Sequence, residues 1–210
     1  VITVVLATHN QHKVAELRRI LDDHDLSVTL VSGRELDLPD VEETGDTFAE
    51  NALLKARACA EATGLPAIAD DSGLVVDALG GDPGIRSARY AGRHGDDQAN
   101  LRLVLERLGS SSQRTARFVC VAALALPGGD QVTETGTMEG VITHEPRGDG
   151  GFGYDPIFVA AGQRRTNAEL TPQRKDAISH RGAAFRALRP HLAALAHAAA
   201  REDRDVSYRA

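Results

Sequence analysis

The sequence predicts an α/β protein built on a mixed β-sheet, and three observations carry that reading. Short β-branched apolar runs alternate with segments of helical period. The first run, Ile2-Thr3-Val4-Val5-Leu6-Ala7, halts at a polar Thr8-His9-Asn10 step and passes straight into a helix pattern. Two long strand-like runs, 115–126 and 131–137, flank Pro127-Gly128-Gly129-Asp130, a hairpin-turn composition, so part of the sheet is antiparallel.

Taken in order, the opening run is a buried strand. In the helix that follows, Val14, Leu17, Ile20 and Leu21 share one face. A second helix begins at a capping box, Thr47 with Glu50, carries an apolar stripe of Leu53, Ala56 and Ala60, and ends at Gly64 and Pro66. A short strand, Ala67-Ile68-Ala69, then places Asp70-Asp71-Ser72-Gly73 at its end. Residues 80–95, rich in Gly, Arg and Asp, read as an irregular loop. Leu101, Val104, Leu105 and Leu108 form a third helix stopped by Gly109. After the hairpin comes a C-terminal helix bearing Phe185, Leu188, Leu192 and Leu195, with Pro190 expected to kink it. From about Arg201 the chain is polar and expected to fray as a flexible tail over 201–210. With no repeat and no linker, 1–200 is expected to be a single domain.

The 210 residues are 42% apolar and 26% charged, ordinary for a globular protein able to bury a core. A net charge of -6, with acidic residues spread along the chain, disfavours binding to nucleic-acid polymers. The two cysteines, Cys59 and Cys120, fall in a helix and a strand and read as lone buried thiols of a reducing compartment. Apolar stretches are too short for a membrane span, and the N-terminus lacks signal-peptide features; the expected location is the cytoplasm.

Four polar clusters carry chemistry. Thr8-His9-Asn10-Gln11-His12-Lys13 sits where a strand gives way to a helix, a place that favours anions, with Lys13 one turn in; an Asn N-cap with a surface lysine is the plainer alternative. Glu42-Glu43 and Asp70-Asp71 form an acidic group. Adjacent carboxylates repel unless a cation or proton separates them, and hard oxygens suit Mg²⁺, although Asp-Asp-Ser-Gly also has the composition of a turn. Asn51 and Lys55, four apart, share a helix face, where the lysine can also simply reach solvent. Finally, Phe152-Gly153-Tyr154-Asp155, with Lys175 and Ser179-His180-Arg181 downstream, offers an aromatic surface, close backbone approach and donors, which suit a flat base. A bulged turn and a basic helix terminus are the competing explanations of those two pieces. Together the clusters make the parts of a site for triphosphate, magnesium and base.

These residues resemble the inosine triphosphate pyrophosphatase family, also called the Ham1 or RdgB family. The resemblance rests on Thr8 to Lys13, Glu42 to Ala52, Asp70 to Leu74, Gly80 to Gly84, Ser87 to Tyr90, Gly150 to Pro156 and Ser179 to Gly182. These seven blocks stand in the family's order and span about Val4 to Leu195. It implies an elongated, two-lobed α/β fold around a mixed, highly twisted sheet flanked by helices, and a homodimer. The implied reaction is Mg²⁺-dependent hydrolysis of ITP, dITP and XTP to monophosphate and pyrophosphate, a cleansing of the nucleotide pool. By position, Thr8, His9, Asn10, Gln11, His12, Lys13 and Lys55 would hold phosphates. Asp71 would be the catalytic carboxylate and a metal ligand, helped by Glu42 or Glu43. Ser72 would touch substrate; Phe152, Gly153, Tyr154, Asp155 and Lys175 would frame the nucleoside; His180 and Arg181 would read the 6-oxo edge. His9 and His12 stand where the family usually has small residues. A Maf-type pyrophosphatase acting on pyrimidine or modified nucleotides is the nearest alternative, against which Ser179-His180-Arg181 weighs. A non-catalytic nucleotide-binding protein is the alternative of another class, made less apt by the carboxylates beside the phosphate cluster.

Overall fold

A computed structural model describes residues 1–22 and 26–209, with side chains described as far as residue 201. The elements are β1 (Ile2–Leu6), α1 (Gln11–Leu21), β2 (Val28–Ser32), α2 (Phe48–Thr63), β3 (Ala67–Val76), α3 (Asp97–Leu108), β4 (Thr115–Ala125), β5 (Gln131–Ile142), β6 (Phe158–Ala160), α4 (Pro172–Ile178) and α5 (His180–Arg209). Short 3₁₀ turns lie between them, at Asp77–Leu79, Gly84–Arg89, Asp155–Ile157 and Asn167–Glu169. The strands form one six-stranded sheet in the order β2-β1-β3-β4-β5-β6. Its β2, β1 and β3 are parallel, and β3 through β6 are antiparallel, so the sheet is mixed as the hairpin requires.

Several boundaries differ from expectation. Strand β3 does not stop at Ala69 but runs ten residues to Val76, so Asp70 and Asp71 lie inside a strand rather than at its end. The turn-like composition is overridden because ten residues of β4, Ala116 to Ala125, pair with it along its length. Strand β5 likewise extends to Ile142. The segment read as a loop holds the 3₁₀ turn Gly84–Arg89, whose Ser87 hydroxyl donates to the Gly84 carbonyl and accepts from the Leu74 amide of β3. Pro190 lies inside α5, which is helical through it. The backbone expected to fray from Arg201 is helical as part of α5 as far as Arg209.

Three apolar clusters define where the site sits. On one sheet face, Val14, Leu17 and Leu21 of α1 and Phe185, Leu188 and Leu192 of α5 pack on Ile68, Cys120, Ala122 and Leu124. On the other face the contact is made almost wholly of small side chains, Ala52, Ala56, Cys59 and Ala60 of α2 against Ala67, Ala69, Ala123 and Ala125, so helix and sheet lie close together. A third cluster occupies the far end, with Leu101, Val104 and Leu108 of α3 against Leu74, Val76, Phe118, Met138 and Phe158. Along β3 the first two clusters end at Ala69 and the third begins at Leu74. The intervening Asp70-Asp71-Ser72-Gly73 is therefore a polar seam between packed cores.

Gly136 of β5 pairs with Cys120 in the middle of the sheet. A Cβ there would run into the His180 carbonyl oxygen and the Ala184 amide, so the missing side chain lets the first turn of α5 rest on the sheet backbone. Gly136→Ala is expected to cost about 1–3 kcal/mol in urea unfolding, the usual range for overpacking. An unchanged midpoint would mean that α5 does not approach the sheet as closely as described.

Candidate functional site

A cleft of ≈ 850 Å³ opens at the seam. Because successive strand residues face opposite sides, Asp70 and Asp71 do not share a site. Asp70, 2% exposed, faces α1 and α5: Lys13 Nζ lies 3.1 Å from its Oδ2, and the Arg181 Nε and Nη2 donate to that same oxygen at 3.3 and 3.1 Å. Asp71, 5% exposed, faces α2: Asn51 Nδ2 donates to its Oδ2 at 3.2 Å, the Ser72 amide to its Oδ1 at 3.0 Å, and Lys55 Nζ is 3.8 Å away. The repulsion expected between adjacent carboxylates is met by the pleat and by separate ion pairs, Asp70 with Lys13 and Arg181, Asp71 with Lys55. Each has its own partners.

Their acidities diverge accordingly. Burial opposes ionisation of Asp70, but Lys13 and Arg181 overcome it and hold its carboxyl well below the usual range. Burial raises the pKa of Asp71, and the nearby Glu43 charge raises it further against the pull of Lys55. Glu43 itself is lowered, because Lys55, at 2.6 Å, outweighs burial. Lys55 is raised in turn: burial works against its charge, and Asp71 and Glu43 win. Glu43 and Asp71 thus converge on one ammonium, while Glu42, on the cleft wall, is exposed. Among the described residues no group of three or more His, Cys, Asp or Glu side chains could hold a metal ion. Two carboxylates open to a cleft still match the needs of a hard cation that takes its remaining ligands from substrate and water.

At the β1–α1 junction the plainer reading of Asn10 holds. It is the N-cap, its Oδ1 accepting from the His12 and Lys13 amides at 3.0 and 3.2 Å. Those two amides are satisfied; the Lys13 ammonium and the Thr8 hydroxyl, both on the cleft wall, can donate to an anion. His9 lines the cleft, with Nδ1 2.5 Å from Asp40 Oδ1. Gln11 and His12 are exposed and are not part of the lining; the His12 ring instead stacks on Phe152.

At the far end of the cleft, Phe152 is half-buried, with Lys175 Nζ 4.9 Å and the Arg181 guanidinium carbon 5.6 Å from its ring centre. Asp155 lines the cleft and is held in place by the protein. It accepts from the Phe152 amide at 3.0 Å, from Asn167 Nδ2 at 3.2 Å and from Lys175. The Tyr154 hydroxyl donates to the Ser87 carbonyl at 2.8 Å, and the Gly153 amide donates to Asp97 at 2.7 Å. Tyr154 and Asp155 therefore shape the loop that presents Phe152. His180 stacks on Phe118 at 4.7 Å, and burial, then the charges of Arg181 and Lys175, push its pKa well below 6.5, so the ring is neutral. Its Nδ1 is buried with no hydrogen-bond partner among the described residues. Arg181 is nearly all committed: besides Asp70, its Nη1 donates to Glu16 at 2.5 Å and its Nη2 to Ser72 at 2.8 Å, leaving at most one of five N–H donors.

Sequence reasoning missed Glu16 and Asp97. Glu16 is buried on the apolar face of α1 between Val14 and Leu17, and it pairs with Arg181 at 2.5 Å and with Lys175 at 2.8 Å. A carboxylate on an otherwise apolar stripe was the signal available. Asp97, beside the Asp96 cap of α3, carried none.

Fold and cleft define an α/β protein whose polar site is set into the seam of a mixed sheet. Residues 4–191 match the Ham1 family, and the chain belongs to that family. It is 59% identical over 190 residues to the dITP/XTP pyrophosphatase of Streptomyces coelicolor, covering 89% of this chain and 95% of that protein. Against the Mycobacterium tuberculosis dITP/XTP pyrophosphatase it is 52% identical over 197 residues, covering 92% and 96%. The Ham1 protein of Coxiella burnetii superposes with a TM-score of 0.83 at 47% identity, covering 91% and 98% of the two chains. The Staphylococcus aureus Ham1 protein gives 0.80 at 42%, covering 90% and 97%.

The two neighbouring aspartates generate opposite stability predictions. Asp70, with a lowered folded pKa, contributes stability above its unfolded value of 3.8, lost as pH falls through the folded value. For Asp71 the sign reverses: the raised folded pKa favours the neutral form, and that contribution disappears as pH rises through it. At pH 7 Asp70→Asn should lose about 3 kcal/mol or more by uncovering buried cations, whereas Asp71→Asn should melt at or above the wild-type temperature. Calorimetry in the absence of divalent cations tests this; equal losses for both would contradict the separation of the two sites.

Proposed function

We infer that this chain hydrolyses deaminated purine nucleoside triphosphates, dITP, ITP and XTP, to the monophosphate and pyrophosphate. The observation that carries the reading is a single cleft with a Glu43–Lys55–Asp71 group at one end and the Phe152–His180 platform at the other. It occurs in a chain 59% identical to a dITP/XTP pyrophosphatase. Lys13 and Lys55 hold the triphosphate. Asp71 is oriented by Asn51 and the Ser72 amide at the cleft, where its carboxylate would accept the proton of an attacking water. Lys55, kept charged by its carboxylates, offsets the negative charge that develops on phosphate oxygens. Glu43 and Asp71 would hold Mg²⁺, which when bound supplies Lewis-acid charge at those oxygens. Glu43 is favoured over Glu42 for this because it shares Lys55 with Asp71.

The base lies against Phe152, and its 6-oxo edge meets His180 and the remaining Arg181 donor. A neutral imidazole with an unpartnered nitrogen can bond to the edge of a purine without adding charge. A site that leaves such groups unpaired with the wrong base can discriminate strongly. The reading carries with it a homodimer, which sedimentation would reveal. It also carries a cytoplasmic place of action, supported by the free, buried Cys59 and Cys120; no helix among the described residues is long and apolar enough to cross a membrane.

The test is product analysis with dITP, XTP, dATP, dGTP and dTTP. Pyrophosphate release from dITP and XTP is expected, with dATP at least about a hundredfold slower in kcat/KM. Release of orthophosphate would overturn the reaction assignment, preference for dTTP would favour the Maf-type alternative, and tight binding without turnover would favour a sensor. Asp71→Asn should lower kcat by at least roughly a hundredfold, the scale of a lost general base. Arg181→Ala should lower the dITP-to-dATP ratio of kcat/KM by about tenfold or more, mainly through loss of dITP; an unchanged ratio would move discrimination to His180 alone.

A further inference from the structure

We propose that His12 is a positioning residue for the base platform, holding the plane of the Phe152 ring and tying it to the phosphate end of the site. The imidazole and the Phe152 ring lie 5.4 Å apart at an interplanar angle of 19°, a stacked pair formed by an exposed side chain. The pairing is not an accident of one contact. Glu16 stands four residues further along α1, on the same helix face, and it grips Lys175 and Arg181, the two cations within 4.9 and 5.6 Å of that same ring centre. One face of α1 therefore supplies both the ring that stacks on Phe152 and the carboxylate that fixes the cations beside it. The Phe152 backbone is pinned separately, its amide on Asp155. What that pin leaves free is rotation of the side chain, and His12 restricts it.

The same residue belongs to the other end of the site. The His12 amide is bound by the Asn10 cap, and Lys13 follows it directly. The cleft lining includes Phe152 but not His12, so the imidazole backs the ring rather than occupying the space for a base. A flat side chain at position 12 is thus what the geometry requires, and its charge is not.

The inference rests on the nucleotide reading above, and the experiment separates their failures. Steady-state kinetics with dITP would be measured for wild type, His12→Ala and His12→Phe, with inhibition by tripolyphosphate, which has no base, measured alongside. His12→Ala should raise KM for dITP roughly three- to tenfold, the range for a lost aromatic contact, with a smaller change in kcat. His12→Phe should return KM to within about twofold, and the tripolyphosphate inhibition constant should stay within about twofold in both. A parallel rise of that constant in His12→Ala would make His12 a phosphate contact and overturn the proposal, as would an unchanged KM or a failure of phenylalanine to restore it. The chain has no tryptophan and three tyrosines, so Phe152→Trp supplies a single tryptophan that can be excited selectively for a direct check. Its emission should change when His12→Ala is added to it, and identical spectra would contradict the stack. No hydrolysis of dITP by the wild type would instead remove the nucleotide reading, and this inference with it.

Discussion

The constraint on which the rest depends is the alternation of side chains along β3. Two consecutive aspartates in a strand must point to opposite faces, and this chain gives each face a different environment. Towards α1 and α5, Asp70 meets two cations and is firmly ionised. Towards α2, Asp71 meets one shared lysine and a second carboxylate, and its ionised form is disfavoured. One strand step thereby separates a residue that builds the site from the residue proposed to react in it.

The buried charges on the Asp70 side form a chain: Lys13, Asp70, Arg181, Glu16, Lys175 and Asp155 link β3, α1, α4, α5 and the loop that carries Phe152. Such a network contributes little net stability, because desolvation consumes much of its Coulombic gain. Its value is geometric. Loss of Asp70 would strip Lys13 of its ion pair, and loss of Lys175 would strip Asp155, so alternative packings of α5 or of the Phe152 loop that break these links are disfavoured. The alanine-rich contact beneath α2 and the missing side chain of Gly136 serve the same end by bringing Asn51 and Lys55, and His180 and Arg181, close to the sheet.

Much of this was legible in the sequence, for reasons tied to particular residues. Elements with a strong local signal, such as the Thr47–Glu50 capping box and the helices with an apolar stripe, fall where the periodicity puts them. Strand β6 and helix α4 went unread because three and seven residues carry too little pattern, and β2 went unread as well. The length of β3 was hidden because Asp, Asp, Ser and Gly are poor strand formers, and only pairing with β4 keeps them extended. Site residues were easier to find than their partners. Lys175 and His180 were recognisable as chemistry, but Glu16 is visible only once α5 has been folded onto α1. The commitment of Arg181 to Asp70 spans 111 positions of sequence and follows from topology, not from any local motif.

The most direct test of the division between the two aspartates is Mg²⁺ binding in the presence of a non-hydrolysable dITP analogue, followed by calorimetric titration. Asp70→Asn, studied at a temperature where it is folded, should retain a Mg²⁺-dependent heat within about tenfold of the wild-type affinity, and Asp71→Asn should lose it. Loss in Asp70→Asn with retention in Asp71→Asn, or equal loss in both, would contradict the account.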